Sequence, residues 1–260
     1  MKKIVIPFAF LFCFQVLSAQ SPEEKGLEIA KKAEEADKGF ESSKVSLKMI
    51  LTNKQGQESE RYLENQTLEL HDDGDKSLIV FNSPKDVEGT ATLTFTHKTT
   101  ADDQWLYLPS LKRVKRISSD NKSGPFMGSE FAYEDLSSQE VEKYKYKFIK
   151  EDDINGHAAY VIERYPLDPK SGYTKQVVWY NKENLRIEKT DYYDRKSALM
   201  KTLSFKDYKL YLNKHWRASE LAMENHLSGK KTRLLFENYS FKTGLKEQDF
   251  SQNSLARAGK

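Results

Sequence analysis

Cysteine is almost missing from this 260-residue chain: the one residue, Cys13, lies in an apolar N-terminal run. Without a partner thiol there is no disulfide, and the rest of the chain has no thiol for redox or metal chemistry. A lipid-modified cysteine needs a small residue before it, and Phe12 stands there instead. Histidine is sparse as well. His71, His97, His157, His215 and His226 keep no metal-ligand spacing with one another or with Asp or Glu, so they read as surface or strand residues. No nucleophile elbow is present: Gly128-Ser129-Glu130 lacks the second glycine and has no strand immediately before it. A P-loop and a dinucleotide fingerprint are also lacking, so no cofactor is implied. In Asp72-Asp73-Gly74-Asp75 the glycine comes too early for an EF-hand, and a tight hairpin turn is the better reading. Asn65-Gln66-Thr67 fits a glycosylation acceptor, a tripeptide common by chance. Charge of one sign is lacking too: 42 Lys and Arg stand against 39 Asp and Glu, a net +3, which gives no general argument for nucleic acid.

Long hydrophobic runs number one. Met1-Lys2-Lys3 is followed by an apolar stretch over 4–17 and then by Leu17-Ser18-Ala19 before Gln20. That is the layout of a secretory signal peptide over 1–19, too short to serve comfortably as a membrane span. Loss of Lys2 and Lys3 takes the formal charge from +3 to +1. The expected mature chain, 20–260, carries no second anchor, which points to the bacterial periplasm, with outright export as the alternative. It is long enough to be stable through its core alone.

What is present is mostly strand. The clearest helix is 21–37: Ser21 and Glu24 form a capping box, Pro22 suits the first turn, and Gly39 ends it. After it the period becomes two. Strands are expected at 45–51, 62–70, 78–81, 90–96 and 104–108, then at 144–148, 159–165, 175–180, 185–193, 200–210, 216–223 and 232–241. They are joined mainly by short turns such as Asn155-Gly156. A phase slip near Lys206-Asp207 suggests a bulge, and a short helix around 248–257 is a further candidate. The pattern has no βαβ alternation, no linker and no repeat, so it reads as one mainly β (α+β) domain of about eleven strands. A single antiparallel sheet of that size curls or closes. Its inner side must be packed, plugged, or left as a cavity.

The stretch 103–136 is the least ordinary. Trp105, Tyr107 and Leu108 lead to Pro109, then to Lys112, Arg113, Lys115 and Arg116, then to a Ser/Asn/Gly/Pro loop that still carries Phe126, Met127, Phe131 and Tyr133. Connecting loops are usually short and polar, so this one covers or binds something. The basic run has three readings: solvated stems over apolar surface, a site for an anionic headgroup or carboxylate, and, last in rank, a nucleic-acid patch. Trp105 and Tyr107 share a strand parity and fit a core. Phe126 and Met127, beside Gly124, Pro125 and Gly128, fit a flap over a cavity.

Three blocks carry a resemblance: Asp103-Gln104-Trp105-Leu106-Tyr107-Leu108-Pro109, Lys112-Arg113-Val114-Lys115-Arg116-Ile117, and Gly128-Ser129-Glu130-Phe131-Ala132-Tyr133-Glu134-Asp135-Leu136. Together they resemble a LolA-like family of outer-membrane lipoprotein-sorting proteins. The resemblance implies a half-open, strongly curved antiparallel β-barrel with helices or loops as a lid in the concave face. It implies a non-enzymatic carrier, acting as a monomer, that sequesters acyl chains of a lipoprotein or lipid for transit across the periplasm. An RND/MMPL-type exporter is implied as a partner. On that reading Leu93, Phe95, Trp105, Tyr107, Val177 and Trp179 line the cavity, Phe126, Met127 and Tyr133 stand at its rim, and Arg113 or Arg116 meets the headgroup. The rival is an interaction or sensor module whose barrel is packed solid and docks another envelope protein.

Overall fold

A computed structural model describes residues 20–258, so the expected signal peptide lies outside the described residues. Helix α1 is Pro22–Asp37, and its capping box forms as expected: Ser21 Oγ accepts from the Glu24 amide while the Glu24 carboxylate accepts from the Ser21 amide. Thirteen strands follow. They are β1 (Ser42–Thr52), β2 (Glu58–Leu68), β3 (Lys76–Ser83), β4 (Ala91–Phe95), β5 (Asp103–Leu108), β6 (Arg113–Ile117), β7 (Tyr144–Ile154), β8 (His157–Pro166), β9 (Lys175–Asn181), β10 (Ile187–Tyr193), β11 (Leu199–Tyr211), β12 (His215–Asn225) and β13 (Lys231–Phe241). Helix α2, Gln252–Ala258, closes the described chain.

All thirteen strands belong to one antiparallel sheet in the order β6-β5-β4-β3-β2-β1-β13-β12-β11-β10-β9-β8-β7. Two meanders, β1 to β6 and β7 to β13, are sewn together where β13 pairs with β1. The sheet is strongly curved and not closed. Its two free edges, β6 and β7, are consecutive in sequence, so residues 118–143 span from one edge to the other.

The one strand with no counterpart among the expected stretches is β6. Its side chains are mainly exposed, since it is an edge strand; its Lys and Arg are the kind of charged residues that protect an open edge from further pairing. They hide the period-2 signal that marks a half-buried strand. The β7–β8 hairpin turns as expected on Asn155 and Gly156, both with positive φ (55° and 78°), the geometry a two-residue hairpin loop requires. The phase slip near Lys206-Asp207 is real but is not a two-against-one bulge. Asp207 adopts φ 53° while Lys206 and Tyr208 keep one register against Glu220 and Ala218.

Cross-strand pairing assigns each residue to a face. Leu63 pairs with Phe81 and with Leu47, Met49 with Leu234, Leu203 with Met223 and Thr190, and Thr190 with Val178. These share the inner face, which carries both α1 and the 118–143 segment in its packing. The opposite parity, with Leu78, Ala91, Leu93 and Tyr107, makes an outer apolar patch. The C-terminal tail covers it through Phe250 and Leu255. Each face thus has its own cover, which explains why β4 is buried on both sides.

Candidate ligand cleft

Helix α1 sits close against β7. A side chain at Gly26 would place its Cβ 2.7 Å from the Phe148 amide nitrogen, so only glycine permits this approach. Ile29 and Ala30 then bury against Val141, Tyr146, Ile162, Val178 and Tyr180. The far end of α1 is tied to β12, where Asp37 pairs with Arg217. The helix therefore crosses the inner face without filling it.

The 118–143 segment is held more firmly, through four short 3-10 turns and bends rather than through long lid helices. Phe126 and Phe131 are each 1% exposed and join Phe81, Met49, Leu203 and Met223 in the main core. Phe126 meets Phe81 at 5.7 Å and Tyr133 edge-on at 5.4 Å between ring centroids. Polar anchors surround this plug. Asp135 accepts from Lys201 Nζ at 2.9 Å and from the Tyr173 hydroxyl at 2.8 Å. Glu130 takes a hydrogen bond from Asn225 through its carboxylate, and its amide donates to Thr232. Arg61 donates to the Met127 carbonyl. Glu134 receives the Gly172 amide and the Ser171 hydroxyl, both at 2.8 Å. Burial raises the Glu134 carboxyl above the usual range despite those donors.

Between α1, the 138–141 turn and strands β10 to β12 lies a cleft of about 440 Å³. Its apolar wall includes Phe40, Tyr146, Tyr180, Phe205, Tyr208 and Trp216, and Arg164 stands in it. Its opposite wall is acidic. Burial pushes the Asp75 carboxyl up to about 7, although the Leu70 amide and the Ser138 hydroxyl both donate to it. Glu140, hydrogen-bonded by Thr96 at 3.0 Å, is also raised, chiefly by burial. Glu34, Glu140 and Glu142 bring carboxylate oxygens within 4.8 Å of one another at this end. A second hollow, about 480 Å³, lies at the open seam between the β5–β6 and β7–β8 edges, lined by Lys98, Lys122, Lys143, Tyr144 and Leu167 among others.

The structure divides the residues expected from sequence. Phe126, Met127 and Tyr133 come together on the inner face. Leu93, Phe95, Trp105 and Tyr107 come together on the outer face, under the tail; Trp105 pairs directly with Leu93 and Tyr107 with Ala91. Val177 and Trp179 take the parity opposite to Val178 and Tyr180, away from α1. There the Trp179 indole N–H donates to Asp152, and Lys189 lies over its ring. Arg113 and Arg116 are exposed on the edge strand, with Arg116 paired to Asp103. A single cavity lined by all eleven is therefore not what the fold builds. Alternation alone does not say which parity faces inward when both faces are covered.

Several inner-face groups were not singled out in the sequence. Asp135, Glu130 and Lys201 anchor the plug, and the first two lie inside the Gly128–Leu136 block that carries the resemblance. Arg164 had a legible signal. It shares parity with Tyr160 and Ile162, and a charge on the buried parity of a strand calls for a partner. His97, expected as a surface or strand residue, bridges Asp73 at 2.6 Å and Asp103 at 3.3 Å. The imidazole holds the Asp73 carboxyl down at about 2, and the two carboxylates raise the imidazole in turn.

This arrangement has close counterparts. A domain described as an outer-membrane lipoprotein-sorting protein from Vibrio parahaemolyticus is 54% identical, with a TM-score of 0.89 over 90% of this chain and 100% of that one. The chain belongs to the outer-membrane lipoprotein-sorting protein family. A family model described only as an uncharacterized protein matches residues 73–257. A DUF1329 family protein from Desulfovibrio piger is 29% identical, with a TM-score of 0.85 over 90% of this chain and 99% of that one. A LolA superfamily protein from Nitrosomonas europaea shares the fold at 21% identity, with a TM-score of 0.72 over 88% of this chain and 98% of that one. No curated protein matches the chain.

Proposed function

We propose that the protein is a periplasmic carrier that holds an acyl chain of a lipid or lipoprotein on the inner face of its sheet, in the cleft beneath α1. The observation that carries this reading is the cleft itself: about 440 Å³ of space walled by Phe40, Tyr180, Phe205, Tyr208 and Trp216 in a lipoprotein-sorting family fold. Its volume falls within the ~300–1,000 Å³ usual for small-ligand pockets. Each methylene removed from water contributes about 0.8 kcal/mol, so a single chain is a substantial ligand. The 118–143 segment would extend the site by swinging its Phe126 and Phe131 plug out of the core, since it joins the two free edges and crosses the inner face. Cargo is bound and released without bond chemistry on this reading. A monomer passing its cargo to or from an inner-membrane transporter of the RND/MMPL type is the partner arrangement the resemblance favours.

Native mass spectrometry of protein purified from its own host tests the proposal. A co-purifying lipid or acylated protein is expected. Its absence, together with failure of delipidated protein to take up any acyl ligand, would remove the carrier reading. The packed plug over β1–β3 and β11–β13 favours the rival docking module in that half of the inner face, and that module becomes the reading if no acyl ligand binds.

A further inference from the structure

The cleft contains one cation unlike the others. Arg186 pairs with Glu188 at 3.0 Å, Arg217 with Asp37, and Lys38 with Glu34 at 3.2 Å, while Lys98 and Lys214 donate to the carbonyls of His71 and Lys38. Arg164 is the most deeply buried of these cations, at 5% exposure. Its Nε–H donates to Gln176 Oε1 at 2.5 Å, and its guanidinium lies 4.9 Å from the centre of the Tyr144 ring. Among the described residues its two terminal nitrogens make no hydrogen bond, and no carboxylate pairs with it. The groups that act on it most strongly besides burial are Tyr144, Tyr180, Tyr192 and Tyr146, all neutral phenols at ordinary pH.

A guanidinium cannot shed its charge in a protein, so burying one without a counter-anion is costly. A folded chain retains such a group where something outside the chain completes it. Gln176 fixes Nε and leaves the two terminal nitrogens, the fork that grips a carboxylate or phosphate with two parallel bonds. The acidic wall does not supply the anion: Asp75 and Glu140 take bonds from Ser138 and Thr96, and neither carboxylate bonds or pairs with Arg164.

We propose that Arg164 is the anion-binding group of this cleft, and that the ligand is a single acyl chain ending in an anionic oxygen group, a carboxylate or a phosphate. The chain lies along Tyr180, Phe205 and Trp216, and its charged end meets the Arg164 fork. This inference rests on the reading of the cleft as the acyl-chain site and adds the polarity of what fills it. Gln176 acts as a positioning residue for the fork.

The test uses protein purified from its own host and delipidated. Oleate, oleyl phosphate and oleyl alcohol are titrated by displacement of the neutral dye N-phenyl-1-naphthylamine. At least one anionic ligand should bind about 10- to 100-fold more tightly than the alcohol, the range of a charge-assisted hydrogen-bond pair; which of the two wins separates a carboxylate from a phosphate source. Arg164→Gln should remove that preference and leave alcohol binding in place, and Gln176→Ala should weaken it in part. Equal binding of all three ligands overturns the anion assignment but leaves the carrier reading standing. A preference that survives in Arg164→Gln overturns the role of Arg164. Binding of none of the three overturns both readings. The wild-type comparison needs no variant, so it decides even if Arg164→Gln does not fold.

Discussion

Asp135 Oδ2 and Lys201 Nζ stand 2.9 Å apart on the inner face, with their side chains 1% and 5% exposed. The pair joins the segment that spans the two sheet edges to the start of β11. It is completed by the Tyr173 hydroxyl on the carboxylate and by the Glu130 carbonyl on the ammonium. A buried pair of this kind adds little over a well-packed apolar pair, but breaking it leaves one charge stranded. Lys201→Ala should therefore lower stability in urea unfolding by about 3–5 kcal/mol. The double variant Asp135→Leu with Lys201→Met should recover much of that loss. Losses that simply add would mean that the two groups do not act as a pair.

The sheet was legible because period 2 survives wherever one face is polar, as in β7 with its Lys145 and Lys147. It failed at β6, whose exposed Lys and Arg protect an edge and carry no alternation. The candidate site was legible only in part, for a different reason. Phe126, Met127 and Tyr133 stood out because large apolar groups in a loop must find cover, and the structure packs them inward. Leu93 and Trp105 are just as apolar, yet they lie under the C-terminal tail. A strand buried on both sides gives no parity signal, and only the cross-strand register through Leu78 separates the two faces. Arg164 would have been found by asking what pairs with a charge on a buried parity.

Asp75 gives the protein a pH-dependent term of known sign. Burial pushes its folded value up to about 7 from an ordinary 3.8. The native state therefore keeps a proton that the unfolded chain has lost, and stability from this group falls as pH rises from about 4 through 7. Asp75→Asn keeps an acceptor for the Leu70 amide and removes the charge. It should stabilise the protein at pH 8 by about 1–3 kcal/mol and change little at pH 4, read as the difference in unfolding free energy. Equal effects at both pH values would remove the titration of Asp75 as the cause.

Gly26 controls how closely α1 approaches the sheet. A Cβ there would lie 2.7–2.9 Å from backbone atoms of Lys147 and Phe148, which cannot turn aside as a side-chain tip could. Gly26→Val should lift the first turns of the helix away from β7 and cost about 1–3 kcal/mol through overpacking. Hydrogen exchange should then speed up at amides of α1 and stay unchanged in β4 and β5, toward the opposite edge of the sheet from β7. Unaltered exchange in α1 would show that the helix tolerates a wider spacing.

The separation of the two faces makes the sharpest contrast. Leu93 is fully buried on the outer face with Phe250 and Leu255, whereas Phe205 borders the cleft on the inner face. Leu93→Ala removes packing under the tail and should cost about 2–5 kcal/mol of stability. It should leave the amount of acyl ligand held per protein unchanged. Phe205→Gln places a polar amide on the cleft wall, where the carrier reading puts the chain, and should sharply reduce bound ligand while costing less stability, because Phe205 is only half-buried. Ligand content by mass spectrometry and unfolding free energy, measured on the same preparations, give both comparisons. If Leu93→Ala were the variant that lost its ligand, the chain would lie on the outer face and the tail, not the 118–143 segment, would be the element that covers it.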